Sequence, residues 1–269
     1  MFGFLIKKNF CDGWDNLLSV VITNAFMLFV FLGLYFLFYL AAQFDGAAYE
    51  IAWRLAFVLS FIIASIFIFS YGDSAADIAN FNGVRITAFF KAIPGVLLDA
   101  ILYGLIYSGV LLIGTFSINY YLFSIQSYFG LFLGAALAWI LLFFVLAMIW
   151  FIPIRSLMHN NFKKCFKKCF IILFDNTGFT ILIAIYDLVL IALSVLCIGF
   201  FPSVAGLLIA NTNALRLRLY KYDYLEQHPE LQTRRERRHI PWEELIFEDR
   251  EILGPRKLKS FIFPWKNED

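Results

Sequence analysis

The sequence predicts an all-α, polytopic membrane protein with six transmembrane helices, interfacial amphipathic helices and a cytoplasmic tail. Three observations lead to this prediction. Hydrophobic residues make up 61% of the 269 residues and charged residues only 16%, whereas soluble domains average about 45–50% and about 25%. Apolar runs of about 20 residues, the length that a helix needs to cross a bilayer, recur along the chain. Finally, the basic residues are distributed unevenly among the segments between these runs.

This composition excludes several classes of protein. So large an apolar fraction cannot be hidden in one soluble core, which excludes a soluble enzyme, a disordered chain, a secreted disulfide scaffold and a nucleic-acid-binding domain. The four cysteines have no paired spacing near a histidine, so no zinc site is predicted. Since the chain also contains no HExxH, GxSxG or phosphate-binding glycine loop, we expect no enzymatic activity, no metal and no cofactor.

Five apolar runs are long enough to be transmembrane helices by themselves. The first is much longer than the apolar core of a signal peptide, about 7–15 residues, so we interpret it as a retained span. The five predicted spans cover approximately residues 17–42, 51–71, 95–121, 128–154 and 179–201.

A sixth run, residues 203–219, is shorter and more polar, and alone it is ambiguous between a span and a surface helix. If it crosses the membrane, every Lys and Arg except Arg54 falls on one side. Because cytoplasmic loops concentrate Lys and Arg, the charges predict six spans in a bacterial cytoplasmic (inner) membrane, with both termini in the cytoplasm. The chain then divides into an interfacial N-terminal segment, a transmembrane domain and a cytoplasmic tail, at residues 1–16, 17–221 and 222–269.

Residues 161–176 predict an amphipathic helix that lies in the membrane interface. Phenylalanines recur every four residues and therefore share a helical face, while lysines take the other side and reach toward anionic headgroups. This helix is either a membrane anchor or a docking site for an acidic partner. Its residues are Phe162, Phe166, Phe170, Phe174, Lys163, Lys164, Lys167 and Lys168.

The N-terminal segment resembles this amphipathic stretch. Lys7, Lys8, Phe10, Asp15 and Asn16 recur at one constant offset in residues 167–176. Internal repeats build many transporters, although interfacial helices also resemble one another without repetition.

The tail has one predicted helix, which begins at Pro241 and stops at Gly254–Pro255. Its predicted apolar face is formed by Trp242, Leu245, Ile246, Ile252 and Leu253. An aromatic cluster follows, and its exposure to water would be energetically unfavourable. We therefore expect it to be buried against the membrane, the cytoplasmic face of the protein or a protein partner. The arginines of residues 234–238 do not predict nucleic-acid binding, because acidic residues are interleaved with them. The aromatic cluster contains Phe261, Phe263 and Trp265.

Intramembrane ionisable groups are costly and mark candidate functional sites. Asp187 lies near the middle of the fifth predicted span, and Asp99 lies about one turn into the third. Asn211 and Asn213 lie in the sixth run. Asp187 with these asparagines could line a proton or cation site. The alternative is that the same groups form interhelical hydrogen bonds that determine packing.

Two stretches, residues 72–102 and 151–176, resemble the YesL-type family of bacterial integral membrane proteins. In the first, Phe89-Phe90-Lys91 opens a span after a helix rich in small residues. In the second, a proline-containing span end leads into a basic helix. The resemblance implies a multi-span membrane protein associated with carbohydrate uptake, and it supplies no catalytic residue.

Two functional hypotheses follow. The chain is a non-enzymatic accessory or scaffold subunit that binds a protein partner through its tail, with a carbohydrate ABC-type uptake system as the assembly that the resemblance implies. Alternatively, it is a small secondary transporter or channel that uses Asp187 with Asn211 and Asn213.

Overall fold

The computed structural model describes residues 1–125, 127–230 and 240–255, and all regular secondary structure in these ranges is helical. A π-helical turn, Tyr120–Ser124, follows the fourth α-helix. The α-helices are α1 Phe2–Asp15, α2 Leu17–Ala41, α3 Gly46–Ala79, α4 Ile86–Asn119, α5 Tyr128–Met148, α6 Phe151–Met158, α7 Phe162–Asp175, α8 Thr177–Leu196, α9 Ser203–Gln227, α10 Trp242–Leu245 and α11 Phe247–Leu253.

The all-helical prediction is confirmed, and five helical segments of the described chain are long and apolar enough to cross a membrane. They correspond to the five long apolar runs of the sequence and indicate a multi-pass membrane protein. The α9 helix is outside this group. These segments are Leu17–Ala41, Gly46–Ala79, Ile86–Ser124, Tyr128–Met158 and Thr177–Leu196.

The α3 and α4 helices form a long, closely packed hairpin. Each has 34 residues, or about 50 Å at 1.5 Å per residue, which exceeds the bilayer core of about 30 Å. Their backbones approach closely at Gly104, where an added Cβ would lie 2.7 Å from Ile62 Cα. Beside this point the Ser65 hydroxyl donates to the Ala100 carbonyl across the helix pair at 2.8 Å. Small residues permit such close contact between membrane helices.

The α9 helix lies in the centre of the fold and contacts α1, α2, α3, α6 and α8. It is buried on almost all sides from Ala205 to Arg218. A helix surrounded by protein has no single apolar stripe, because polar side chains on every face can bond to neighbouring helices. This environment accounts for the polar composition that made the sixth run ambiguous.

Asn24 of α2 holds the turn between α8 and α9. Its side chain is fully buried, donates to the carbonyls of Phe200 and Pro202 at 3.0 and 2.8 Å, and accepts the Ala205 N–H at 3.0 Å. The Asn24 amide therefore satisfies backbone groups that the start of α9 leaves without an intrahelical partner.

The sequence similarity between residues 7–16 and 167–176 coincides with equivalent local structures. The α1 and α7 helices are each 14 residues long, each ends at an aspartate, and each is joined to the next long helix by a single asparagine. These asparagines are Asn16 and Asn176, and the helices that follow are α2 and α8.

The predicted tail helix is present as two short helices, α10 and α11. Ile246 separates them and is wholly buried. Leu253 of the predicted apolar face is also buried, whereas Ile252 is 58% exposed. The aromatic cluster Phe261, Phe263 and Trp265 lies outside the described residues.

Candidate functional site

The four intramembrane polar residues that the sequence indicates do not meet at one site. Asp187 and Asn211 contact each other, as predicted. Asn213 bonds to α1 instead, and Asp99 bonds to Arg155. These four residues therefore belong to three separate polar clusters.

The first cluster joins α8 to α9 through one amide–carboxyl contact. The Asn211 amide nitrogen donates to Asp187 Oδ2 at 3.1 Å. The remaining oxygens of the pair, Asp187 Oδ1 and Asn211 Oδ1, are buried and accept no hydrogen bond from any residue that the structure describes. Buried oxygens without a donor are costly, and this contact leaves two acceptors of the pair unsatisfied by the described residues.

The second cluster is a buried ion pair between α1 and α9. Lys8 Nζ lies 2.9 Å from Asp12 Oδ2, and the two side chains are 2% and 5% exposed. The Asn213 amide nitrogen donates to Asp12 Oδ2 at 2.7 Å and to Asn9 Oδ1 at 2.8 Å. Burial lowers the pKa of Lys8 and raises the pKa of Asp12, while the attraction between the two charges opposes both shifts.

Arg216 extends this second cluster toward α3 and the tail. Its guanidinium donates to the Ala79 carbonyl at the end of α3, to the Tyr220 hydroxyl and to Asp249 Oδ1 of α11. The ring of Phe81 lies beneath two cations, with its centroid 3.6 Å from Lys8 Nζ and 5.1 Å from Arg216 Cζ. Cation–π attraction of this kind adds to the ion pairs.

The tail segment 240–255 packs on the surface of the protein itself. Asp249 is almost fully buried against Arg216 at 2.9 Å, and Lys7 Nζ donates to the Gly254 carbonyl at 3.0 Å. Trp242 is half-buried, with its ring centroid 5.7 Å from Arg218 Cζ. The structure thus attaches residues 240–255 to the protein itself, whereas the fate predicted for the aromatic cluster concerns residues outside the described ranges.

The third cluster joins α6 to the α3–α4 hairpin. Arg155 Nε donates to Asp99 Oδ2 at 2.8 Å, and its Nη1 donates to Asp73 Oδ1 at 3.4 Å. The same guanidinium donates to the Gly95 carbonyl at 3.2 Å. Asp99 is thus the partner of a cation rather than a member of the Asp187 site.

The predicted interfacial helix corresponds to α7, but its most buried face is formed by Cys165, Cys169, Ile172 and Leu173. Three of the phenylalanines flank this face and are half-buried, and Phe174 is 65% exposed. The compact cysteine side chains face the protein, and Cys165 Sγ donates to the Asn160 carbonyl at 3.3 Å. The flanking residues are Phe162, Phe166 and Phe170.

The lysines of α7 lie on the opposite side, as the sequence predicts. Lys163, Lys164 and Lys167 are exposed. Lys168 is half-buried, with its Nζ 3.7 Å from Met158 Sδ.

Sequence reasoning did not anticipate six charged residues of these clusters. The Lys8–Asp12 pair has a sequence signal, since opposite charges four residues apart share a helical face. The other pairs join residues that are far apart in the chain, and no local pattern indicates them. The residues are Lys8, Asp12, Asp73, Arg155, Arg216 and Asp249.

Comparison of the chain with protein-family models, curated proteins and solved structures finds no match.

Proposed function

We propose that this chain is a six-span protein of a bacterial cytoplasmic membrane that acts as a non-enzymatic accessory or scaffold subunit of a larger assembly. The resemblance to the YesL-type family makes a carbohydrate ABC-type uptake system the first assembly to test. In this proposal α9 is the sixth span, and both termini lie in the cytoplasm.

Burial of α9 supports its assignment as a span. The helix has 25 residues, enough to cross a bilayer, and its asparagines bond to α1 and α8. The charge pattern supports the orientation, because α9 must cross to place the basic tail on the same side as Lys7 and Lys8.

The docked tail is the observation on which the scaffold proposal rests. Asp249 and the buried side chains of Ile246 and Leu253 make residues 240–255 part of the folded protein surface. The chain continues from this attached segment through residues 256–269, whose sequence contains three large aromatic residues. Large aromatic residues are enriched where proteins bind one another, so a tail of this composition suits a non-enzymatic role in holding a partner.

A pair of truncations tests this proposal. One chain ends at Pro255 and retains the docked segment, whereas a shorter chain ends at Tyr224 and lacks it. The full-length protein purified in mild detergent should retain a stoichiometric partner, identified by mass spectrometry, and the chain ending at Pro255 should lose it. A matched full-length variant, with Phe261, Phe263 and Trp265 replaced by serine, should lose the same partner.

The tail proposal fails if the full-length chain purifies alone from cells in which it is expressed at its normal level. It also fails if the chain ending at Pro255 keeps every stoichiometric partner. The chain ending at Tyr224 then reports whether the docked segment itself holds that partner.

A secondary transporter or channel is the second candidate function. The supporting observation is the Asp187–Asn211 contact, in which two buried oxygens accept no hydrogen bond from the described residues. Proteoliposomes would be tested for proton and monovalent-cation flux, with Asp187→Asn compared with Asp45→Asn at an exposed loop position. Flux that is lost in Asp187→Asn alone supports transport, and flux that is unchanged by Asp187→Asn removes this candidate.

A further inference from the structure

A polar cavity of about 410 Å³ lies beside Arg155, where α3, α4 and α6 meet the start of α7. Its volume falls within the range of small-molecule sites, about 300–1,000 Å³. It is unusual in so apolar a chain because charged and amide groups form most of its wall. The residues that line it are Asp73, Asp99, Arg155, His159, Asn160, Asn161 and Phe162.

One wall of the cavity carries an excess of negative charge. Arg155 Nε lies 2.8 Å from Asp99 Oδ2, whereas the contact between Arg155 Nη1 and Asp73 Oδ1 is longer, at 3.4 Å. The Asp73 side chain is 43% exposed, whereas that of Arg155 is 15% exposed. Two carboxylates therefore share one guanidinium, and the loosely held Asp73 can accept hydrogen bonds from an incoming ammonium group.

Another part of the wall carries hydrogen-bond donors. Asn160 Nδ2 is buried and donates to no acceptor among the described residues. The α7 helix begins beside it, and the side chain of its N-cap residue, Asn161, makes no capping hydrogen bond. The first backbone N–H groups of a helix favour an anion, and Lys163 and Lys164 add positive charge in the first turn.

We propose that this cavity binds a small zwitterion that carries an ammonium and a phosphate, namely a phosphoethanolamine group. The ammonium contacts Asp73 and Asp99, and the phosphate faces Asn160 and the start of α7. The depth of the cavity suits a lipid headgroup, because Asp99 lies about one turn into a predicted span. Phosphatidylethanolamine of the bilayer and free phosphoethanolamine present the same chemistry.

The binding experiment uses the full-length protein in nanodiscs made of phosphatidylglycerol alone. Calorimetric titrations into the protein compare phosphoethanolamine with two half-ligands. Ethanolamine lacks the phosphate, and glycerol 3-phosphate lacks the ammonium. Native mass spectrometry then compares retention of phosphatidylethanolamine and phosphatidylglycerol from mixed nanodiscs. Binding of free phosphoethanolamine indicates a soluble ligand, and selective retention of phosphatidylethanolamine alone indicates a lipid headgroup. Either result supports the proposal.

Three variants locate the site. Asp73→Asn should weaken binding of the whole zwitterion about tenfold, the effect of losing one charged hydrogen bond. Asp77→Asn is the matched control, an exposed acid one turn farther along α3 that does not line the cavity. Asn160→Leu removes a donor that has no partner in the described chain, so it should weaken phosphoethanolamine binding and leave ethanolamine binding unchanged.

The proposal is overturned if the zwitterion binds no better than either half-ligand and phosphatidylethanolamine is retained no better than phosphatidylglycerol. It is equally overturned if Asp73→Asn and Asp77→Asn have the same effect in protein that elutes as a single folded species. If Asp73→Asn does not fold, the binding of phosphoethanolamine and ethanolamine to Asn160→Leu tests the site instead. These outcomes are independent of partner binding by the tail.

Discussion

Lys8 and Asp12 form an ion pair that is almost wholly inaccessible to solvent, one turn apart on α1, with 2.9 Å between Lys8 Nζ and Asp12 Oδ2. Asn213 of α9 donates to the same carboxylate. The short N-terminal helix is thus attached to the central helix by charged groups, and its position depends on both charges being present.

Lys8→Met should destabilise the protein by about 3–5 kcal/mol, because it leaves the Asp12 carboxylate buried without its cation. The double variant Lys8→Met/Asp12→Leu should recover most of that loss, since no unpaired charge remains. Unfolding in detergent measures both effects, with Lys164→Met as an exposed control. A Lys8→Met protein as stable as the wild type would show that the pair contributes nothing.

Asp249→Asn should loosen residues 242–253 from the protein surface. The change weakens a charged hydrogen bond to Arg216, worth about 1.5–3 kcal/mol, so amide exchange in this segment should accelerate by roughly tenfold or more. Hydrogen–deuterium exchange measures the effect directly, and Glu248→Gln at the exposed neighbouring position is the control. Equal protection in Asp249→Asn and the wild type would refute this role of Asp249.

Gly104→Ala should lower the unfolding free energy by about 1–3 kcal/mol, the usual effect of overpacking. The new Cβ would meet Ile62 Cα at 2.7 Å, a backbone atom that cannot move alone. Gly109→Ala, one turn farther along α4, meets nothing within 4 Å and should be neutral or slightly stabilising. Thermal unfolding of the two variants in the same detergent gives the comparison, and equal effects would contradict the close contact between α3 and α4.

Cys197 provides a native reporter for the proposed topology. It is exposed at the end of α8, whereas Cys11, Cys165 and Cys169 are buried. With six spans and cytoplasmic termini, a membrane-impermeant maleimide should label Cys197 in cells whose outer surface alone is accessible. A cysteine introduced by Glu226→Cys, near the end of α9, should react only after permeabilisation. Labelling of both positions from the same side would rule out α9 as a span.

Local patterns were sufficient to predict the helices. Each of the five long apolar runs coincides with a helical segment of the structure, because hydropathy over about 20 residues depends on nearby side chains alone. The α7 helix was also predictable from its four-residue periodicity. Its buried face differs from the prediction because packing selects small side chains, here Cys165 and Cys169, that allow a close approach.

Polar partners were much harder to predict. Asn211 and Asn213 are two positions apart on α9, a separation of roughly 200° around a helix axis, so they face different neighbours. Asp99 is predicted from the sequence as a second intramembrane candidate, and its partner Arg155, from α6, is not indicated by any local pattern. Only the fold brings such distant residues together, and residue type alone does not specify the pairing.

The sequence by itself determined the helical class of this protein and the apolar segments that indicate a multi-pass membrane protein. These properties depend on the composition of continuous segments. The tertiary structure decided which charges are buried, placed a polar helix at the centre and attached residues 240–255 to the protein surface through Arg216 and Asp249. Those features require side chains from distant segments to meet where water is excluded, since an unpaired charge there would be too costly to retain.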